Sequence, residues 1–198
     1  MAQQVPAQHL PPVERPIGIF DQFIVRQTET LILKEKVMSL SGDSFDIKLA
    51  SGQPVFKIQG RHMTISGRKS LSDMQGNHLF DVVKELMHIH ATFAVEDAKG
   101  NKIVSIKNSF KLIGSKANIE FTSKDGQKHT LVMNGTFAGM SADIVDKASG
   151  AVVARIDRKL FNAREWLGGQ QTYALIVAPG VDMALMVAAC VALDEKNE

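Results

Sequence analysis

The sequence predicts a mainly β protein: an antiparallel closed barrel of about twelve strands that encloses a hydrophobic C-terminal α-helix. Three observations support this prediction. Apolar and polar residues alternate along many short segments, a glycine-containing turn recurs about every 24 residues, and the final segment is apolar on every side. The chain has 198 residues, 22% charged and 44% apolar, which is typical of one globular domain and not of a disordered or fibrous protein.

The alternation has a period of two, which is typical of half-buried strands. The segment SFDIKLA directs Phe45, Ile47 and Leu49 to one face and Asp46 and Lys48 to the other. IEF, ADIVD, FKIQG and IVSIKN follow the same pattern. These segments therefore predict strands that have one face on a core.

Turns separate the predicted strands at regular intervals. Five of them carry one glycine at the bend, where a positive φ closes a tight hairpin: Gly52, Gly76, Gly100, Gly126 and Gly150. Five hairpins make ten strands, and ETLILKEKV and QTYALIVA predict two more. A meander this long is expected to close, because closure removes the unpaired edges.

The C-terminal segment has no polar face. From Met183 to Leu193 every residue is Ala, Val, Leu, Met or Cys, which indicates a helix that is buried all round. A barrel of about twelve strands is too wide for side chains alone to fill, and a helix about 10 Å across fits its lumen. Pro179 and Gly180 end the preceding strand, and Asp182 is placed to accept hydrogen bonds from the first helical turn. A membrane span is the alternative, but the uncharged part is only about 16 Å long.

The predicted domain organisation is a Pro-rich flexible tail, residues 1–16, followed by one barrel domain, residues 17–198. Four of the six prolines lie in the tail, which lacks aromatic residues. A Pro-rich tail can also serve as a ligand for a recognition domain. Because a closed barrel offers no free sheet edge, we expect a monomer.

Three stretches together resemble the LURP-one-related family: LILKEKVMSLSGDSFDIKLASGQPVFKIQGR, then LSDMQGNHLF, then VDMALMVAACVALDE. The resemblance covers about residues 20–195. This family shares its fold with the tubby C-terminal domain and the phospholipid scramblases, so the resemblance implies a twelve-stranded antiparallel barrel threaded by its C-terminal helix. Tubby domains bind phosphoinositide headgroups and scramblases move lipids, whereas LURP-one-related members have no agreed biochemical activity.

Composition and motifs argue against several functions. A net charge of +2 gives no bulk attraction to nucleic acid, and we expect no nucleic acid partner. The single cysteine, Cys190, lies in the apolar segment, which favours a reducing compartment: cytosol, nucleus or the cytosolic face of a membrane. Of these we expect a cytoplasmic location, with a peripheral position at a membrane as the alternative. The opening residues also lack the charged and apolar regions of a secretory signal. The sequence contains no nucleophile elbow, phosphate-binding loop or HExxH motif, so we expect neither enzymatic activity nor a cofactor.

Histidines suggest a metal site only weakly. His88 and His90 would share one strand face and would need His62 or His78 nearby to complete a ligand set. Such a pair is more often solvated or hydrogen-bonded. We therefore expect no metal.

Two basic clusters are the candidate sites for a lipid headgroup. Clustered guanidinium and ammonium groups can share the charge of phosphate. The candidates are Arg61, Arg68, Lys69, Arg155, Arg158 and Lys159. The same residues also fit a solvated barrel face on which Asp157 compensates the charge.

Three functions follow as hypotheses. The first is a non-catalytic barrel that binds anionic phospholipid, such as a phosphoinositide, peripherally at a membrane surface. The second is a protein-interaction module that uses the Pro-rich tail or the barrel loops. The third is a scramblase-like membrane protein, which requires the terminal helix to leave the barrel.

Overall fold

The structure is a computed structural model of the chain. It describes seven stretches: residues 9–34, 44–60, 67–85, 92–110, 115–135, 141–157 and 172–194.

Twelve antiparallel strands close into one barrel, as the sequence predicts. Each strand pairs with the next along the chain, and β1 pairs with β12 to complete the closure. The strands are β1 (Glu29–Lys34), β2 (Ser44–Leu49), β3 (Pro54–Gly60), β4 (Lys69–Asp73), β5 (His78–Glu85), β6 (Thr92–Glu96), β7 (Lys102–Phe110), β8 (Ser115–Thr122), β9 (Lys128–Gly135), β10 (Ser141–Asp146), β11 (Val152–Asp157) and β12 (Thr172–Val177).

The five predicted glycine turns all lie at the same end of the barrel, which we call the hairpin end. Their glycines have φ between 75° and 89°, a region that side chains with a Cβ rarely adopt. Aspartates accept backbone N–H groups in four of these turns: Asp73, Asp97, Asp125 and Asp146. Asp97 Oδ1, for example, accepts hydrogen bonds from the backbone N–H groups of Lys99 and Asn101 at 2.9 and 2.8 Å. The repeated turn signal in the sequence therefore reports real hairpins.

The α-helix α1 (Met183–Asp194) fills the core of the barrel, which confirms the prediction from its composition. Residues 184–192 are each at most 1% exposed, and the helix packs against β5 and β12. Inward-facing strand residues such as Ile106, Ile119 and Leu131 are fully buried with it. Within the described residues, no helix combines the length and the apolarity needed to cross a membrane.

The N-terminal segment makes contacts with the barrel over part of the predicted tail. Residues 10–25, here called the strap, are attached to the hairpin end. Leu10 is 7% exposed, and the N–H groups of Val13 and Ile17 donate to Pro179 O and Gly180 O at 3.0 and 2.9 Å. No signal in the sequence predicts these contacts, because apolar residues scattered between prolines carry no periodicity. Residues 1–8 lie outside the described part of the chain.

Strap side chains add to the core at the same end. Phe20 packs on Phe80 with ring centroids 5.7 Å apart, and Phe23 packs edge-on against Phe56 at 4.9 Å. One turn of 3-10 helix, Asp21–Phe23, lies between these two contacts. The strap therefore closes the end of the barrel at which α1 begins.

The buried helix gives a direct test of the architecture. Ala189 is fully buried, so A189D places an unpaired carboxylate inside the barrel. We expect a loss of about 3–5 kcal/mol in the free energy of unfolding, a large part of the stability of a domain. Urea denaturation followed by circular dichroism measures this loss.

M74D is the matched control, because Met74 is 37% exposed. The same added charge should change the free energy of unfolding by no more than about 0.5 kcal/mol there. A stable A189D protein with native-like near-ultraviolet circular dichroism would contradict the buried position of α1.

Candidate functional site

The first basic cluster is an ion-pair network on the outer face of β4, β5 and β6. Arg68 donates from Nη1 to Asp81 Oδ2 at 2.5 Å and from Nη2 to Glu96 Oε2 at 2.7 Å. Asp81 also accepts hydrogen bonds at Oδ1 from Ser70 Oγ at 2.5 Å and from the His78 ring at 3.0 Å. Register explains the arrangement, since Asp81 lies directly opposite both Ser70 and Glu96 on the neighbouring strands.

The network keeps Asp81 ionised although it is only 5% exposed. Burial acts to raise the pKa of Asp81, but hydrogen bonds from Ser70, His78 and Arg68 outweigh it and leave the pKa below its ordinary value. The guanidinium of Arg68 is thus already occupied by two carboxylates. A phosphate ligand would have to displace them.

In the second basic cluster an arginine is again paired with a carboxylate, but with one instead of two. Arg155 and Asp143 lie directly opposite each other on β11 and β10. The guanidinium donates from Nε and Nη2 to the two carboxylate oxygens, at 2.6 and 3.0 Å. About a third of each side chain is exposed, so water screens the pair.

Lys69 lies on the inner face of the barrel wall. It is 5% exposed and shares the inward face of β4 with Leu71, which is 1% exposed. Its cross-strand partner, Val82, is 2% exposed. The candidate role of Lys69 as a headgroup ligand stays a prediction, and burial of its ammonium group makes Lys69 less suited to that role than an exposed cation.

The two clusters also lie on different flanks of the barrel. Arg68 precedes β4 and Arg155 lies on β11, five positions away around the closed ring of twelve strands. Their outward-facing side chains cannot meet on the wall. The remaining candidates, Arg61, Arg158 and Lys159, lie outside the described residues.

A buried carboxylate joins the strap to α1. Asp182 Oδ1 accepts the N–H groups of Ala184 and Leu185 at 2.9 and 3.2 Å, which is the helix cap that the sequence predicts. Its Oδ2 accepts the N–H groups of Ile19 and Phe20 at 3.0 and 2.8 Å. Burial raises the pKa of Asp182, and the four N–H donors act in the opposite direction.

Gly18 allows the strap to pass over this carboxylate. A Cβ at position 18 would lie 2.3 Å from the Cβ of Asp182, which no side chain can accommodate. The strap and the helix cap therefore fit each other through a contact that only glycine permits. The sequence signalled the helix cap at Asp182, but gave no sign that the same carboxylate also holds the strap.

A groove lies at the hairpin end of the barrel, where the strap meets the start of β7, the end of β8 and the start of β9. Its volume is about 540 Å³, within the range of small-molecule sites. The side chains that characterise it are Ile19, Ile103, Thr122, Lys128, His129 and Thr130. Alternation in FTSKDGQKHTLV places Lys128 and Thr130 on one strand face, but the contribution of the strap depends on tertiary structure.

His129 of the groove contacts Ser123 beside it, without the geometry of a catalytic triad. Ser123 Oγ lies 3.1 Å from His129 Nε2 and donates to Asp125, so the acid bonds the serine instead of orienting the histidine. The His129 ring stacks on Phe121 with centroids 5.1 Å apart. The expectation of no enzymatic activity stays a prediction.

Of the four histidines considered as metal ligands, one lies in the described part of the chain. His78 bonds Asp81 in the ion-pair network, whereas His62, His88 and His90 lie outside the described residues. Across the stretches that the structure describes, no three His, Cys, Asp or Glu side chains are grouped to hold a metal ion.

The ion-pair network predicts unequal effects of removing the two arginines. R68A leaves a nearly buried carboxylate with fewer donors, and we expect a loss of about 2 kcal/mol in the free energy of unfolding at neutral pH. R155A removes a screened pair and should cost less than about 1 kcal/mol. Urea denaturation of both variants beside the wild type measures the difference.

The pH dependence of R68A adds a second readout. Because the fold lowers the pKa of Asp81, its bonds contribute stability above the unfolded pKa of about 3.9, and this is lost as the pH falls through the folded value. The stability gap between wild type and R68A should therefore narrow below about pH 4. A gap that stays constant down to acid pH would contradict the role given to Asp81.

The two faces of Asp182 can be separated by substitution. D182A removes acceptors from four N–H groups, and we expect a loss of about 2–4 kcal/mol in the free energy of unfolding. D182N keeps one acceptor oxygen for the helix cap but turns an amide NH₂ toward the strap. Hydrogen exchange should then rise at Ile19 and Phe20 while the amides of Ala184 and Leu185 stay protected. An equal rise in exchange at the strap amides and at the helix amides would contradict the assignment of one carboxylate oxygen to the strap and the other to the helix.

Comparison with known proteins agrees with the architecture. The model of the family described as LURP-one-related matches residues 29–194. Protein LURP-one-related 10 of Arabidopsis thaliana is 22% identical over 169 residues, 82% of this chain and 87% of the relative. Protein LURP-one-related 12 of the same organism is 25% identical over 181 residues, 88% of this chain and 81% of the relative.

A solved structure shows the same fold. The X-ray structure of a protein from Arabidopsis thaliana superimposes with a TM-score of 0.67 at 16% identity, covering 92% of this chain and 99% of that one. The barrel is also consistent with the tubby-like fold that the resemblance implied. On the family match, the chain belongs to the LURP-one-related family.

Proposed function

We propose that the chain is a non-catalytic barrel module that binds anionic phospholipid headgroups, such as phosphoinositides, peripherally at a membrane surface. The residues assigned to this role are Arg61, Arg158 and Lys159. The other candidates are less suited, because Arg68 and Arg155 are paired with carboxylates and Lys69 is buried.

The observation that carries the proposal is strand direction. In an antiparallel barrel with neighbouring strands in sequence order, all odd-numbered strands run the same way. β3 and β11 therefore both end on the side opposite the hairpin end, at Gly60 and Asp157. Arg61 follows the first of these residues directly, and Arg158 and Lys159 follow the second. Their chain connections thus begin at a common end of the barrel.

A common end suits a flat charged surface better than the barrel wall does. Juxtamembrane basic residues contribute about 1 kcal/mol each near an anionic leaflet. Three such residues would give about 3 kcal/mol, enough for salt-sensitive peripheral binding. The scramblase-like alternative is less favoured, since it needs α1 outside the barrel in which residues 184–192 are buried.

Vesicle co-sedimentation tests the proposal. Purified protein is mixed with phosphatidylcholine vesicles that contain or lack a phosphoinositide, at low and at high salt. We expect binding only with the anionic lipid and at low salt, and about a hundredfold weaker binding for R61A/R158A/K159A.

The matched control is K48A/K57A/K84A, which removes the same charge from three exposed lysines of the barrel wall. It should bind like the wild type. No binding to any anionic vesicle at low salt would reject the proposal, as would equal losses in the two triple variants.

A further inference from the structure

We propose that the groove between the strap and β7–β9 is a binding site for a small soluble amphipathic anion, a molecule with an apolar body and one carboxylate, phosphate or sulfonate group. This site is separate from the proposed membrane contact. It lies at the hairpin end of the barrel, whereas Arg61, Arg158 and Lys159 follow strands that end at the opposite side.

Polar donors converge on one part of the groove. Lys128 and Thr130 lie two residues apart on the outer face of β9, and Thr122 lies directly opposite Lys128 on β8. Cross-strand neighbours of this kind have Cβ atoms about 5 Å apart. One ammonium and two hydroxyl groups can therefore reach the same anionic group.

The charged side chains that line the groove include Lys102, Lys128 and Glu120, and Glu120 lies directly opposite Thr130. Glu120 is paired with Lys107 at 2.8 Å, and Lys102 is paired with Glu85. Among the residues that the structure describes, Lys128 has no carboxylate within ion-pair distance. An anion bound here would therefore meet a lysine that no protein carboxylate already neutralises.

An apolar wall stands beside these donors. Ile19 of the strap and Ile103 of β7 are both half-buried and pack against the edge of the core. A groove of about 540 Å³ has room for a ring system or a short alkyl chain. Inorganic phosphate alone would leave this wall exposed, which is why we assign an amphipathic ligand.

The wall is fixed in place before any ligand arrives. The N–H of Ile19 donates to the buried carboxylate of Asp182 at 3.0 Å. Lys124 in the β8–β9 turn forms an ion pair with Asp21 of the strap at 2.7 Å. The first contact is buried and fixes the strap to the helix, whereas the second is exposed and contributes little, so the Ile19 wall is the preformed part of the groove. Preformed sites lose less ordering entropy on binding.

Fluorescence titration with 8-anilinonaphthalene-1-sulfonate tests the site, because this probe combines aromatic rings with one sulfonate. We expect saturable binding at one site per chain. K128A should weaken it about tenfold, through the loss of one charge-assisted contact, and K48A should leave it unchanged. Two further probes separate the contributions: inorganic phosphate should not displace the fluorophore, and neutral N-phenyl-1-naphthylamine should bind K128A and wild type equally.

A second variant guards against loss of folding in the first. I19S removes part of the apolar wall but none of the polar donors. It should also weaken binding of the probe, while the near-ultraviolet circular dichroism of the protein stays unchanged. Non-saturable binding, or equal affinities for K128A and K48A, would overturn the proposal.

Competition identifies the source of the ligand. Decyl phosphate below its micellar concentration should displace the probe, whereas displacement by phosphatidic acid vesicles alone would overturn the assignment to a soluble ligand. R61A/R158A/K159A should keep full affinity for the probe, and K128A should keep vesicle binding. Each proposal can therefore fail without the other.

Discussion

Enclosure of an all-apolar helix by a closed sheet is the constraint on which this structure depends. Residues 184–192 of α1 have no exposed side, and the inward rows of the strands are mainly apolar to match them, with Lys69 at the start of β4 as an exception. The helix also fills a lumen that strand side chains alone would leave partly empty. Sheet closure and helix burial therefore require each other, and the core has one continuous set of contacts instead of two layers.

Where α1 enters the barrel, buried backbone N–H groups need hydrogen-bond acceptors. The first helical N–H groups are buried, and Asp182 satisfies two of them while also holding two strap N–H groups. A buried carboxylate is costly unless it is fully hydrogen-bonded, and here four donors surround it. This contact makes the strap part of the domain, and through Ile19 it extends to the wall of the groove.

The barrel wall shows why basic residues alone are a poor guide to a binding site. Arg68 and Asp81 are 13 residues apart in sequence, and Arg155 and Asp143 are 12 apart, yet strand register makes both into direct partners. The sequence displays the arginines as clusters because they lie near other cations along the chain. Their acidic partners come from neighbouring strands, which a reading along one segment does not detect.

The sequence by itself determined the strand alternation, the five glycine turns, an approximate strand count of about twelve and the buried helix with its Asp182 cap. These features depend on local periodicity and on turns such as the one at Gly100, whose positive φ favours glycine over residues with a Cβ. Tertiary structure alone decided that Leu10 and Val13 are fastened to the barrel, that Lys69 points inward, and that Ile19 meets Lys128 across a groove. The physical reason is range: hydrogen bonding and backbone strain in a turn act between neighbours in sequence, whereas burial and ion pairing depend on which distant segments the closed barrel brings together.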